Sequence, residues 1–451
     1  MRVFFAVWFG QLISIIGSNL TSFALGVWVY ERHESATEYA LIFLFTSIAQ
    51  VLVSPFAGAL VDRWDRRLVM LISDCGAGAS SLAVAILLAG GHLAVWEVYA
   101  AVFVSAACGA FQWPAYTAAT VLLVPQKHYT RASGMMDIGY GISTLVAPAL
   151  AGAIMLAAGV QVVLMIDFAT FIFSVVTLSL VRFPHPAQTD EAQQHRGSLW
   201  SEMRYGWSYV ASRRGLLALL GFFAIVNFLT GIMTVLSVPL ILSFTSEGRL
   251  GTMMSIGAVG GLLGSLAVSV WGGPRRRIVG VLLFGGLVGL GSILIGLRAS
   301  VWFVTAAMGL AFFCYPIVSA CSQSIWMSKV APDVQGRVAS VRSVVVFLSM
   351  ALASPIGGPA ADYVFEPLLA PGGALASSVG RVIGVGPGRG TALIFILMGV
   401  LMIVTVIGAW TYPHLRRIDA ELPDFQGVNN TLTNASGALA VNGEFSDILS
   451  A

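Results

Sequence analysis

The stretch Gly58-Ala59-Leu60-Val61-Asp62-Arg63-Trp64-Asp65-Arg66-Arg67 decides the reading of this chain. Asp62, Arg63, Asp65, Arg66 and Arg67 crowd into six positions between two long apolar runs. Upstream, Tyr39–Val61 carries no charge; downstream, Leu68–Gly90 carries only Asp74. A charged side chain at the centre of a bilayer costs about 2.5–3.5 kcal/mol on insertion scales. The cluster therefore belongs at a membrane face, and the runs on either side of it belong in the membrane.

Composition extends this reading to the whole chain. Of 451 residues, 57% are hydrophobic and 10% charged, against about 25% charged in soluble domains. Apolar runs long enough to cross roughly 30 Å of hydrocarbon as helices recur throughout. The ten-residue alternation of a membrane β-barrel is absent. Twelve helices are predicted, over 3–29, 38–61, 68–90, 95–124, 132–158, 162–181, 216–243, 250–272, 278–297, 301–328, 338–362 and 391–411. The first run is too long for the apolar part of a signal peptide, so no cleaved leader is expected. Cys75, Cys108, Cys314 and Cys321 all fall within these spans and read as packing residues. The six histidines lie in or beside loops, and no H-E-x-x-H, G-x-S-x-G or Walker pattern is present, which argues against an enzyme. No metal, organic cofactor or nucleic-acid partner is expected.

Orientation follows from the basic residues. With the N-terminus in the cytoplasm, 19 of the 24 lysines and arginines lie inside or at the inner boundary. The positive-inside rule selects this topology, with both termini cytoplasmic. The chain divides into a first six-helix half (1–182), a cytoplasmic linker (183–215), a second half (216–412) and a cytoplasmic tail (413–451). Within the linker, Ser198–Tyr209 has the pattern of an amphipathic surface helix, and the tail beyond Gly427 has the composition of a disordered segment.

The halves carry an internal repeat of about 207 residues. Asn19 pairs with Asn227, Arg66-Arg67 with Arg275-Arg276, Arg131 with Arg337, Pro148 with Pro355, and Gly152 with Gly358. Parallel six-helix repeats are a recognised transporter architecture.

The opening stretch resembles the loop 2–3 signature of the major facilitator superfamily, G-x-L-x-D-R-x-G-R-R/K, with Asp65 in place of the usual Gly. Gln11–Ser18, Pro55–Trp64, Asp167–Phe171 and Leu415–Pro423 are similar to the macrolide-efflux branch of its drug:proton antiporters, which also holds siderophore exporters. The resemblance implies two pseudo-symmetric halves and alternating access. It also implies proton-driven export of an amphipathic small molecule of macrolide, peptide-antibiotic or siderophore type, by a monomer in a bacterial inner membrane. A lipid or lysolipid flippase on the same fold is the alternative. Two departures stand out. Ser105 occupies the helix-4 position where many such exporters carry Arg, and the helix-5 antiporter motif is reduced to Ala147-Pro148-Ala149-Leu150-Ala151-Gly152.

By this resemblance Asp62 and Gly58 would latch the second span to the N-terminus of the eleventh, whose free N–H groups carry partial positive charge. Arg63, Arg66 and Arg67 would pair with acids or anionic lipid, or act only as topology anchors. Intramembrane carboxylates are candidates for proton coupling. Asp137, early in a cavity-lining helix, stands first, although it could pair with loop arginines; Glu97 follows. Asp74 and Asp167, on peripheral helices, read as braces. Asn19, Gln50, Gln112, Tyr116, Tyr140, Asn227, Gln323 and Arg342 are candidate cavity residues, with Trp113, Phe228, Tyr315 and Trp326 as aromatic neighbours. Helix–helix hydrogen bonding is the competing role for most of them.

Overall fold

In the computed structural model the described residues are 2–124, 129–181, 199–274, 276–330 and 334–418. They contain helices and connecting turns and no strand. The predicted C-terminal tail beyond Ile418 and the linker from Arg182 to Ser198 lie outside them. Of Gly58, Asp62, Arg63 and Asp137 only the helical backbone is described.

Twelve helices are long and apolar enough to cross a bilayer. The first half comprises α1 (Arg2–His33), α2 (Ala36–Arg63), α3 (Arg66–Ala89), α4 (Val95–Leu123), α5 (Tyr129–Ala158) and α6 (Val160–Leu180). The amphipathic helix α7 (Leu199–Ala211) follows. The second half comprises α8 (Arg214–Leu242), α9 (Glu247–Trp271), α10 (Arg277–Leu297), α11 (Val301–Lys329), α12 (Gln335–Pro359) and α13 (Arg389–Thr411). With an even number of crossings, both chain ends lie at one face, called here the termini face; the opposite one is the far face.

Local chemistry sets several boundaries. The Ser35 hydroxyl accepts from Glu38 N at 3.2 Å and starts α2. The Asp65 carboxylate accepts from Arg67 N at 2.8 Å and Leu68 N at 3.4 Å and starts α3. The residue that departs from the signature thus serves as an N-cap. Gly272, at φ +77°, ends α9 in the left-handed conformation that glycine adopts without strain. α12 does not stop at Pro359: the chain continues through a π-helical turn, Ala360–Phe365, into Glu366–Leu369. The eleventh span is therefore longer than its sequence pattern indicates. α7 packs along α12 and α8, with Val210 fully buried and the Arg213 guanidinium 3.6 Å from the Tyr209 ring centroid.

The repeat is expressed in the packing. In the first half α1 packs on α5 and α6, α3 on α4 and α6, and α2 on α4. In the second half α8 packs on α12 and α13, α10 on α11 and α13, and α9 on α11. Each pair in one list has its counterpart in the other. Between the halves, the dominant contacts are α2 with α12 and α5 with α9.

The apolar cores are not distributed symmetrically across the membrane. The largest cluster draws on both halves, and its residues lie toward the far face: Leu25 and Val29 of α1, Met155 of α5, Ile241 of α8, Leu250 of α9 and Val304 of α11 are all nearly inaccessible. Toward the termini face each half keeps a core of its own. One gathers Val7, Met70, Tyr116 and Leu178; the other gathers Leu219, Ile278, Ile325 and Leu415. The halves are fused by burial at the far face and separately packed at the other.

Candidate functional site

The far-face closure is built from two equivalent crossings. Gly358 of α12 lies on the first turn of α2, where an added Cβ would stand 2.6 Å from Thr37 Cα and 2.9 Å from Ala36 O. Gly152 of α5 lies on the first turn of α9, where an added Cβ would stand 3.1 Å from Glu247 O. The glycine pair found by the sequence repeat thus lies at equivalent crossings between the halves; at the α5–α9 crossing Gly251 of α9 lies closer still to the backbone of Pro148. Ser255 Oγ adds a bond to Leu145 O at 2.6 Å across the α5–α9 crossing.

At the α2–α12 crossing the contact is also polar. The Asp362 carboxylate accepts from Ser35 Oγ at 2.8 Å, Ala36 N at 3.0 Å and Thr37 N at 2.8 Å. It occupies the N-terminus of α2, where unpaired N–H groups concentrate. One helical turn on, Glu366 does the same for α13, accepting from Gly388 N at 3.1 Å and from both Thr391 N and Thr391 Oγ1 at 2.8 Å. Neither acid is among the candidate residues of the sequence pattern. The available signal was an acid at the end of an apolar span facing a Ser35-x-x-Glu38 helix start.

In the middle and toward the termini face of the spans, aromatic residues of both halves are accessible. Trp113 is 44% exposed, Tyr140 56% and Tyr315 52%. A cavity of about 170 Å³ lies among Asn227, Tyr315, Ser319, Trp326 and Arg342, and a second of about 300 Å³ continues it past Thr230 and Tyr315 toward Met254, Met308 and Phe395. Arg342 Nη1 donates to Gln323 Oε1 at 3.0 Å, and its guanidinium lies 4.8 Å from the Trp326 ring centroid.

The other predicted cavity residues separate. Asn19 Nδ2 donates to Ser143 Oγ at 2.8 Å and joins α1 to α5, whereas Asn227 Nδ2 donates to Phe223 O of its own helix at 2.7 Å. Gln50 Nε2 donates to Ala106 O at 3.3 Å, joining α2 to α4. Tyr116 is 3% exposed and belongs to the core of the first half, so in this conformation it does not line the cavity. Its ring is held among Val7, Met70 and Leu178 because the face of α4 that carries it turns toward α1, α3 and α6.

Gln112 belongs to a buried polar cluster instead. Asp74 Oδ2 accepts from Gln11 Nε2 at 3.1 Å and Ser174 Oγ at 2.8 Å, while Asp74 Oδ1 accepts from Gln112 Nε2 at 3.0 Å. Gln112 Nε2 also donates to Gln11 Oε1 at 2.7 Å, and its own Oε1 is buried without a partner among the described residues. One carboxylate thereby ties α1, α3, α4 and α6 together. Asp167, 1% exposed, accepts from Ser81 Oγ at 2.8 Å. The hydrogen-bond donors on both carboxylates are neutral. Glu97 lies at the far face, where its carboxylate accepts from Ala94 N at 2.8 Å and caps α4.

In the signature loop, Arg67 has a definite partner: Nε donates to Leu178 O at 2.9 Å and Nη2 to Ser179 O. A cation thus closes the C-terminal turn of α6, the favourable end of its dipole. The contact proposed for Asp62 and Gly58 with the start of α12, and the partners of Arg63, lie outside the described residues, as does the Asp137 side chain.

Comparison with known proteins agrees with this architecture. A sequence model of the Major Facilitator Superfamily matches residues 7–355. Macrolide efflux protein A of Streptococcus pyogenes is 28% identical over 365 residues, covering 78% of this chain and 87% of that protein. The multidrug efflux pump Tap of Mycolicibacterium fortuitum is 23% identical, covering 78% and 88%. Among solved structures, the nucleoside transporter NupG superposes with a TM-score of 0.71 at 11% identity, covering 91% of this chain and all of that one. A bacterial homologue of the human lysosomal transporter Spinster superposes at 0.66 and 13%, covering 92% and 94%. With its family match spanning most of the chain and twelve membrane helices in two repeated halves, this protein belongs to the Major Facilitator Superfamily, among multi-pass membrane transporters rather than enzymes.

Proposed function

We propose that the chain is a secondary active exporter of amphipathic small molecules, driven by proton antiport and working by alternating access. It resides in a bacterial inner membrane with the termini face toward the cytoplasm. The observation that carries this reading is the asymmetry of the cores: one apolar core spans both halves at the far face, while the halves are packed separately at the termini face. That is the arrangement of a carrier closed on one side and accessible from the other. The similarity to efflux proteins supports the export direction, and the placement of 19 of 24 basic residues supports the orientation.

Antiport requires a group whose protonation changes between the two access states. Asp137 and Glu97 are the candidates from sequence, and Glu97 already serves as a helix cap. Asp74 is the best-placed addition. It is 4% exposed, is hydrogen-bonded only by neutral donors, and is joined to α1, α4 and α6 through Gln11, Gln112 and Ser174.

The test is accumulation in intact cells. Cells expressing the protein should retain less erythromycin or less of an amphipathic peptide than control cells, and a protonophore should abolish the difference. Equal retention in both strains removes the exporter reading, and export that survives collapse of the proton gradient removes antiport. Impermeant thiol reagents added outside should label Ser378→Cys and spare Ser212→Cys; the reverse pattern inverts the orientation.

A further inference from the structure

We propose that the cargo site lies within the second half and is built for an amphiphile with an anionic headgroup, held at Arg342 with its apolar body running toward Met254 and Met308. The inference rests on the exporter reading above and specifies the cargo's chemistry.

Two features of the cavities carry it. First, they are continuous and graded. Thr230, Val288 and Tyr315 line both. The smaller chamber, nearer the termini face, holds Asn227, Ser319 and Arg342; the larger runs deeper among Met233, Met254, Met308, Met350 and Phe395. Methionine-rich walls adapt to varied apolar shapes. A polar mouth leading into an apolar chamber has the profile of a headgroup and a tail.

Second, the charge at the mouth has no counter-charge among the described residues. Among the described residues no carboxylate lines either chamber and none stands within ion-pair distance of Arg342. Its guanidinium is nonetheless held in place: one face lies over the buried Trp326 ring, and Nη1 is tied to Gln323 Oε1 at 3.0 Å. Gln323 supplies an acceptor and no charge. A guanidinium fixed this way presents its remaining N–H groups in the planar fork that matches a carboxylate or phosphate with two parallel bonds. A cationic cargo would meet repulsion at the mouth. A carboxylate or phosphate would supply the missing counter-charge where the surroundings are partly apolar and the attraction is strongest.

A matched pair of probes tests this on the purified full-length protein: an N-lauroyl dipeptide with a free C-terminal carboxylate and the same molecule as its C-terminal amide. They differ in one charge. Binding is read by tryptophan fluorescence, to which Trp326 reports directly. The wild-type protein should bind the carboxylate at least ten-fold more tightly than the amide. Arg342→Gln should remove that difference, and Arg342→Lys should retain part of it, since the charge remains and the fork is lost. Equal binding of the two probes by the wild type, tighter binding of the amide, or binding of neither overturns the proposal without recourse to any variant.

Lysophosphatidylglycerol in mixed micelles separates the sources of the anion. Competition by this lipid at concentrations matching the dipeptide supports a lipid headgroup at the same site; competition by the dipeptide alone supports a soluble product. Transport distinguishes this inference from the exporter reading. If the carboxylate probe binds selectively but is moved by neither cells nor proteoliposomes, the site stands and export fails. If erythromycin or the amide is exported normally by both wild type and Arg342→Gln, export stands and the anionic site fails.

Discussion

The Asp362 carboxylate accepts a hydrogen bond from Thr37 N at 2.8 Å, across the boundary between the two halves. With Ser35 and Ala36 it makes a three-bond cap on a helix of the opposite half. The signature-loop resemblance implies the same relation in the reverse sense, with Asp62 at the end of α2 set against the start of α12, a contact outside the described residues. The far-face cap by Asp362 is described; its counterpart at the termini face is what the resemblance implies. The Asp362 cap can be engaged only while the far face is closed, so it helps set the balance between the two access states.

Removing the far-face cap should therefore move that balance. Charge-assisted hydrogen bonds contribute about 1.5–3 kcal/mol, and about 1.4 kcal/mol is a factor of ten in population. Asp362→Ala should lower the far-face-closed population ten-fold or more. Spin labels on His92→Cys and Val382→Cys, both exposed and in opposite halves, would report it as a longer distance component. An unchanged distance distribution would mean that the apolar core alone holds the closure.

The glycine crossings predict a graded effect. A methyl at Gly358 meets backbone at 2.6 Å and 2.9 Å, whereas one at Gly152 meets backbone no closer than 3.1 Å. Gly358→Ala should therefore block far-face closure and abolish turnover, and Gly152→Ala should slow transport while leaving some activity. Both variants should still insert and purify, because each half retains its own core at the termini face. Equal activity of the two would dismiss close backbone approach as the reason for these glycines.

Asp74→Asn separates bracing from coupling. Asparagine keeps the size and most of the hydrogen-bonding capacity, so α1, α3, α4 and α6 should stay joined and thermal stability should change little. If Asp74 carries the proton, downhill exchange of cargo across proteoliposomes should persist while uphill export driven by a pH gradient is lost. Asp137→Asn, measured in parallel, gives the competing assignment. Normal uphill export by Asp74→Asn would return that residue to a purely structural role.

Asp65 yields a prediction about stability alone. Replacing an N-cap aspartate with alanine costs about 0.5–2 kcal/mol, and with glycine only a few tenths. Asp65→Ala should thus lower the unfolding temperature in detergent, while Asp65→Gly, which restores the usual signature residue, should be close to wild type. Equal losses in the two would show that the aspartate acts through its charge in the loop and not as a cap.

Several of these features were legible before any coordinates. Charge excluded from hydrocarbon marked the loop at Asp62–Arg67, span length marked the twelve helices, and the repeat marked Gly152 and Gly358 as equivalents. These are one-dimensional signals, because the bilayer imposes length and polarity on each segment independently. The eleventh span, expected over 338–362, runs on to Leu369 for a local reason: the charge of Asp362 suggests a stop, yet that acid is satisfied by the start of α2 and the chain continues through a π-helical turn.

The sequence by itself determined the membrane class, the number of crossings and the family, since these follow from the cost of placing polar groups in lipid. Only the tertiary structure decided which side chains face one another. Tyr116 has the composition of a cavity residue and lies in a core; Asn19 and Asn227 match in the repeat and bond differently; Gln112 serves Asp74 and not the cavity. Asp362 finds its partners about 325 residues away in the chain, and Arg342 lies over Trp326 and is tied to Gln323 at the mouth of a cavity. A helix pattern records that a residue is polar, but the rotation of each helix against its neighbours fixes what that polarity meets. That rotation is set by the packing of all twelve helices together.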